Sequence, residues 1–373
     1  MKTKKLSEIS DIQYGYAFDS HYFTNDNKYP QLVRIRDIKR GFSETYYLGK
    51  YDEDYVVHYG DLLIGMDGNF NISRWKSEDA LLNQRVCKIA AKQDIIDEEY
   101  LQYALSRRLK HIEEKTAFVT VKHLSAKTLS NLKLEVPSQV EQIKIAQIIS
   151  KISKAINTKK DELRKLDELI KARFVEMFGD LKFDTSLSFY VSSLVAGKSL
   201  AGKQESPNKV LNTGAVSYDY FRNDSKNLPL DYVPLEKNQI QTSDLLISRM
   251  NTQELVGAVA YVWKAPKHTY LPDRLWKAKL KDNVNPIFIW QALIYPLSKI
   301  QIRRMATGTS GSMKNISKNN FLAVKIPYAK IQKQNEFANF VQQVDKSKFE
   351  NIVYLNKTLS MKILSQLGDV SRD

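Results

Sequence analysis

Residues Glu141 to Gly179 read EQIKIAQIISKISKAINTKKDELRKLDELIKARFVEMFG, with no proline or glycine before Gly179. Ile145, Ile149, Ile152, Ile156, Leu163, Leu166 and Ile170 recur at helical steps. Lys159 and Arg173 fill two further places in the stripe, and charged residues cover most of the remainder. At about 1.5 Å per residue such a helix runs to roughly 55 to 60 Å. An apolar stripe that long and that narrow requires a partner helix.

A partner pattern lies at the other end of the chain. Gln334 to Leu367 repeats the spacing with Phe337, Val341, Val344, Ile352, Leu355, Leu359, Ile363 and Leu367. Both patterns follow a strand-like run closed by proline, LKLEVP at Pro137 and AVKIP at Pro327. Both end in Gly-Asp, at Gly179-Asp180 and Gly368-Asp369. Further upstream, YLQYAL from Tyr100 answers FIWQAL from Phe288, and YGDLLIG from Tyr59 answers TSDLLIS from Thr242. The chain is therefore an internal duplication of α+β class, in which two globular α/β units each feed one long helix. The expected division is a first unit over 1–139, a spacer helix over 140–180, a second unit over 181–328 and a second spacer helix over 329–373.

The formal charge of +15 and pI near 9.4 point to a polyanionic partner, with nucleic acid the leading candidate. A membrane partner is disfavoured, because no run approaches the ~20 apolar residues of a spanning helix. The single cysteine, Cys87 in RVCKIA, excludes an internal disulfide and reads as strand packing. MKTKKLSEIS lacks the apolar core of a signal peptide, so a cytoplasmic location is expected.

Within the first unit, Val33 and Ile35 alternate with Arg34 and Arg36, the pattern of a strand with a basic face. An edge strand kept soluble by charge accounts for the same residues equally well. The run Leu62 to Ile64 predicts a buried strand, followed by a loop containing Gly65, Gly68, Asn69 and Asn71 that can approach a ligand closely. In the second unit Ser248 to Thr252 occupy the matching loop, and ATGTSGSMKNISKNNF from Ala306 predicts a flexible, donor-rich turn.

No catalytic constellation survives inspection. Gly197-Lys198-Ser199 lacks the upstream glycine of a phosphate loop, since Ser192 stands there. Asn285-Pro286-Ile287-Phe288 lacks the second proline of the clamp with which amino-methyltransferases hold a flipped base, and reads instead as a helix start. The five histidines show no metal spacing.

Taken together, LLISRMNTQELVG, TGTSGSMKNIS and KIPYAKIQKQNEFANFVQQVDK in the second half, with DLLI and EQIKIAQII in the first, resemble the specificity subunit of a type I restriction-modification enzyme. In the first half TAFVTVKHLS stands where that family pattern has its Gly-Thr-Ser-Gly turn. The resemblance implies two target-recognition domains joined by two long antiparallel coiled-coil helices in a pseudo-two-fold arrangement. Each domain would read one part of a bipartite, asymmetric site in double-stranded DNA. It also implies two modification subunits that methylate adenine with S-adenosylmethionine, and restriction subunits that use ATP and Mg. The chain itself would be non-catalytic and would hold no cofactor or metal. Candidate DNA contacts are Arg34, Arg36, Asn69, Arg74 and Lys122 in the first unit, and Arg249, Asn251, Arg274, Thr309 and Lys314 in the second. Candidate spacer and subunit-interface positions are Ile145, Ile149, Ile152, Ile156, Leu163, Leu166, Val341, Val344, Leu355 and Leu359. A basic coiled-coil scaffold without sequence choice is the rival reading.

Overall fold

The structure is a computed structural model that describes residues 2–68, 70–115, 123–310 and 313–354. Asn69, Lys122, Leu355 and Leu359, together with Ile363, Leu367 and Gly368-Asp369, lie outside the described residues. The chain forms two compact units, residues 1–157 and 158–373, divided inside the helix Gln139–Phe178.

Each unit is built on a four-stranded antiparallel sheet. In the first the order is Ser10–Tyr14, Val86–Ala91, Leu62–Gly65, Ile72–Arg74. In the second it is Val191–Ala196, Leu275–Leu280, Leu245–Ser248, Val259–Tyr261. The DLLI strand is the third in both. Leu62 and Ile64 face the core beneath the helix Glu98–Lys115, whereas Leu63 faces a second cluster around Trp75. Leu245 and Ile247 are likewise separated from Leu246. Burial on both faces is why these strands read as unbroken apolar runs rather than alternations.

The aspartate opening each DLLI run is structural. Asp61 accepts the His58 N–H at 2.9 Å and Asp244 the Gln241 N–H at 2.8 Å. Each also pairs with a lysine of the neighbouring strand, Lys88 at 3.5 Å and Lys277 at 3.2 Å. The repeat signature thus encodes a turn and an ion pair.

A smaller sheet accompanies the main one in each unit. It contains a parallel pair, Gln31–Val33 beside Ala80–Leu82 in the first unit and Lys209–Leu211 beside Thr269–Tyr270 in the second. The strand before each long helix, Lys133–Val136 or Lys325–Ile326, pairs with the strand that opens its unit, Lys2–Lys5 or Thr185–Ser186. The duplication therefore extends to strand order and pairing sense.

The central helix Gln139–Phe178 starts with Ser138 and Glu141 in a reciprocal cap, and its stripe residues Ile145, Ile149, Ile152, Ile156, Leu163 and Leu166 are half-buried. In the second unit the last turns of this helix pack against the C-terminal helix Ile331–Tyr354. Arg173 meets Glu336 at 2.8 Å, Lys333 donates to the Met177 carbonyl at 3.2 Å, and Lys348 pairs with Asp167. Residue numbers fall on one helix as they rise on the other, so the packing is antiparallel. Phe174 and Phe178 each lie 5.5 Å from the Phe337 ring, and Val341 and Val344 are buried in the same core.

Two local expectations change. The alternating strand over 33–36 ends at Val33, because the Asp37 carboxylate accepts the Arg34 N–H at 3.1 Å and draws Ile35–Asp37 into a 3-10 turn. The polar stretch after Ala306 is a β-ribbon, Thr307–Ser310 with Met313–Asn315, whose tip at 311–312 lies outside the described residues. Asn285 caps a helix with Pro286 in its first turn, as its sequence predicts. Among the described residues no helix is long and apolar enough to cross a membrane.

Candidate nucleic-acid interface

In the second unit, sheet register gathers the candidate residues. The DLLI strand leaves the sheet at Ser248, and Arg249 N–H donates to the Arg274 carbonyl at 3.1 Å, which places the two arginines side by side at the strand ends. Met250–Asn251 then pairs with Met313–Asn315, putting Asn251 opposite Lys314. Lys314 Nζ donates to the Gly308 carbonyl at 2.9 Å and so ties the ribbon to itself. The Thr309 side chain lies outside the described residues, although its backbone belongs to the ribbon.

These four groups differ in freedom. Arg274 is exposed, and no ion pair is recorded for it among the described residues. The Arg249 guanidinium lies 5.8 Å from the Trp276 ring centroid, and its buried Nε has no hydrogen-bond partner among the described residues. A planar cation held beside an aromatic ring keeps its charge in a restricted orientation. Asn251 donates through Nδ2 to Ser217 Oγ at 3.3 Å.

The first unit spends its candidates differently. Arg34 lies 3.7 Å from Asp37 and donates to Thr45 Oγ1, which holds a turn together. Burial pushes the Asp37 carboxyl up, against the opposing pull of the Ser43 hydroxyl and of Arg36 and Arg40. Arg36 keeps 66% of its side chain exposed and is the freer of the two predicted arginines. Arg74 is saturated, with Glu98 at 3.1 Å, Glu99 at 2.9 Å and the Gly60 carbonyl at 3.0 Å. It braces the start of a helix.

At the exit of the first DLLI strand the structure assembles a cluster that the sequence did not reveal. Asp67 pairs with Arg85 at 3.0 Å and with His123, and the Asp67 and His123 backbones form an isolated bridge. This bridge occupies the place that the Met250 to Asn315 pairing holds in the second unit, since the Leu124 N–H donates to the Met66 carbonyl at 2.7 Å as the Ile316 N–H does to the Arg249 carbonyl at 3.0 Å. Residues that meet across tens of positions leave no local spacing to read. Lys277, on the neighbouring strand Leu275–Leu280, is 2% exposed and donates to the Gln239 carbonyl at 2.8 Å while facing Asp244. Burial raises the Asp244 carboxyl above its ordinary value, and Lys277 opposes that rise. Among the described residues no group of three or more His, Cys, Asp and Glu is placed to hold a metal ion.

Comparison with known proteins agrees with the duplication. The chain is 39% identical over 166 residues, 44% of its own length and 35% of the relative's, to the type I restriction enzyme EcoBI specificity subunit of Escherichia coli. It is 24% identical over 127 residues, 34% of its length and 30% of the relative's, to the type I restriction enzyme MjaVIII specificity subunit of Methanocaldococcus jannaschii. These alignments span about a third of those relatives. The fold resembles the type I restriction-modification S subunit from M. genitalium, with a TM-score of 0.57 and 14% identity over 96% of this chain and 93% of that one. A chain from a type I R-M system, solved to explain its complex assembly and conformational transition, gives a TM-score of 0.50 at 16% identity over 98% and 95%. The pattern of the type I restriction modification DNA specificity domain matches residues 1–168 and 198–360, and the chain belongs to that family.

Proposed function

We propose that this chain is the specificity subunit of a type I restriction-modification system, reading a bipartite and asymmetric site in double-stranded DNA, one part per globular unit. The observation that carries the reading is the repeated frame: a buried DLLI strand whose exit loop is bridged to the segment preceding the long helix, found once in each unit. Loops held at the end of a rigid strand position base-contacting groups, and the net charge of +15 supplies sequence-independent affinity for phosphate.

The contacts assigned to DNA are Arg36 in the first unit and Arg249, Asn251, Arg274 and Lys314 in the second. Asparagine and arginine pair bidentately with adenine and guanine edges. Asn69, Lys122 and Thr309 remain candidates from sequence. The long helices set the separation of the two half-sites, and their remaining exposed faces receive partners. Those partners are two modification subunits that bring S-adenosylmethionine for adenine methylation, and restriction subunits that bring ATP and Mg. The chain contributes sequence choice and no catalytic step, and it acts in the cytoplasm.

Competition binding at one fixed salt concentration tests this. The full chain with its modification subunits should bind a duplex carrying its methylation motif about a thousandfold more tightly, or better, than a scrambled duplex. Equal affinity for both would identify a basic scaffold instead.

A further inference from the structure

The two units share a second device, on the smaller sheet. In each, the strand of the parallel pair runs into a 3-10 turn, Ile35–Asp37 after Val33 and Thr213–Val216 after Leu211. The chain then reaches a residue in the left-handed region at the same remove, Gly41 with φ +77° and Asp219 with φ +62°. Glycine accepts that conformation freely, whereas an aspartate does so only where its surroundings hold it.

Asp219 is held from several sides. Its carboxylate accepts the Val259 N–H at 2.9 Å and pairs with the buried Lys299, and its carbonyl accepts Trp290 Nε1 at 3.0 Å. Gly41 is fixed by its N–H to the Asp37 carbonyl at 2.8 Å and by the Lys76 N–H to its own carbonyl at 3.0 Å.

What these turns display is alike. Tyr218 and Tyr220 flank Asp219, are 59% and 47% exposed, and lie with ring centroids 6.4 Å apart at 28°. The Arg222 guanidinium lies 4.7 Å from the first ring centroid and 4.6 Å from the second. No ion pair is recorded for Arg222 among the described residues. Flanking Gly41, Arg40 lies 4.5 Å from the ring centroid of the exposed Phe42. Arg40 also lies 3.9 Å from the buried Asp37 carboxylate and meets the exposed Glu44 at 2.9 Å, the latter a pairing weak enough to exchange for a stronger anion. In the second unit the display adjoins the candidate interface, because Ser217, next to Tyr218, accepts the Asn251 bond.

An exposed guanidinium held beside aromatic rings, as Arg222 also is by donating to the Tyr220 hydroxyl, keeps its charge while losing rotamer freedom, the requirement for gripping a phosphate at low entropic cost. We propose that Arg222 on Tyr218 and Tyr220, and Arg40 on Phe42, are paired positioning contacts that grip the DNA phosphate backbone, one per unit, and orient each unit for base reading. This rests on the DNA-binding function proposed above.

The test measures binding of the full chain to its motif duplex and to a random-sequence duplex across a salt series. Arg222→Ala should weaken both by about tenfold, make the slope of log K against log salt shallower by about 1, and leave the methylated motif unchanged. Tyr218→Ala, which keeps the charge and frees the guanidinium, should weaken both duplexes with the slope retained. Arg40→Ala should repeat the Arg222 pattern to a smaller degree. Since these side chains are exposed, an unchanged thermal transition verifies the fold. Wild-type affinity and slope in Arg222→Ala, with DNA binding by the parent intact, would overturn the proposal alone. Relaxation of one half of the motif at unchanged random-duplex affinity would also overturn it, by making Arg222 a base reader. Failure of the parent to bind either duplex would overturn the DNA function itself.

Discussion

Gln142 and Gln334 make the same bonds at the start of the two long helices. Each accepts, through Oε1, the backbone N–H of a residue that opens an earlier helix of its unit, Asp97 before Glu98–Lys115 at 2.7 Å and Asn285 before Pro286–Ile294 at 2.9 Å. Each donates through Nε2 to the carbonyl five positions back, Pro137 at 2.9 Å and Ala329 at 2.7 Å. Both side chains are buried, at 1% and 2% exposure. One residue thus locks a long helix to the unit it leaves, in both repeats.

Gln334→Ala should therefore destabilise the second unit by about 1 to 3 kcal/mol, since it strands a buried N–H and a carbonyl together. Gln142→Ala should do the same to the first. Differential scanning calorimetry of the full chain, with the unit transitions resolved, is the measurement. A change confined to the wrong unit, or none, contradicts the assignment.

The helix packing of the second unit is apolar in its energetics. Phe337→Ala should cost about 3 to 5 kcal/mol, because it opens a cavity among Phe174, Phe178 and Val341. Arg173→Ala should cost far less than Phe337→Ala, since Glu336 opposite it is 60% exposed. Urea denaturation of the two variants checks the order.

The buried pair of Lys277 and Asp244 should give a pH signature. The folded state raises the Asp244 carboxyl above its usual 3.8, chiefly through burial, so it holds a proton that the unfolded chain releases. Stability from this group therefore falls as pH rises through the window above 3.8. Lys277→Ala removes the cation that limits the loss, and should cost about 3 to 5 kcal/mol near neutrality. The penalty should shrink as acid protonates Asp244. Denaturation at matched acidic and neutral pH measures it, and a penalty equal at both would refute the account.

What could be read from the sequence was whatever repeats or alternates locally. The apolar steps of the central helix, the DLLI strands and the proline-closed strands all carry their spacing in the chain itself. The arginines could not be sorted that way. Arg34 and Arg36 fit a strand as well as a turn over so short a run, and the Asp37 carboxylate decided for the turn. Arg74 resembles any other candidate until the fold brings Glu98 and Glu99 against it. Arg222 meets Tyr218 and Tyr220 on a turn where Asp219 adopts a left-handed backbone and is held by Lys299 and Trp290, both distant in the chain. Folding thus decides which cations are tied into ion pairs and which stay exposed.

Exchanging recognition units tests the central claim most directly. Residues 1–139 would be replaced by the corresponding unit of another family member, and adenine methylation mapped by long-read sequencing in cells supplying the modification subunits. The account predicts a bipartite motif in which one half changes while the other half is retained. A motif unaltered by the exchange, or one altered in both halves together, would contradict the assignment of one half-site to each unit.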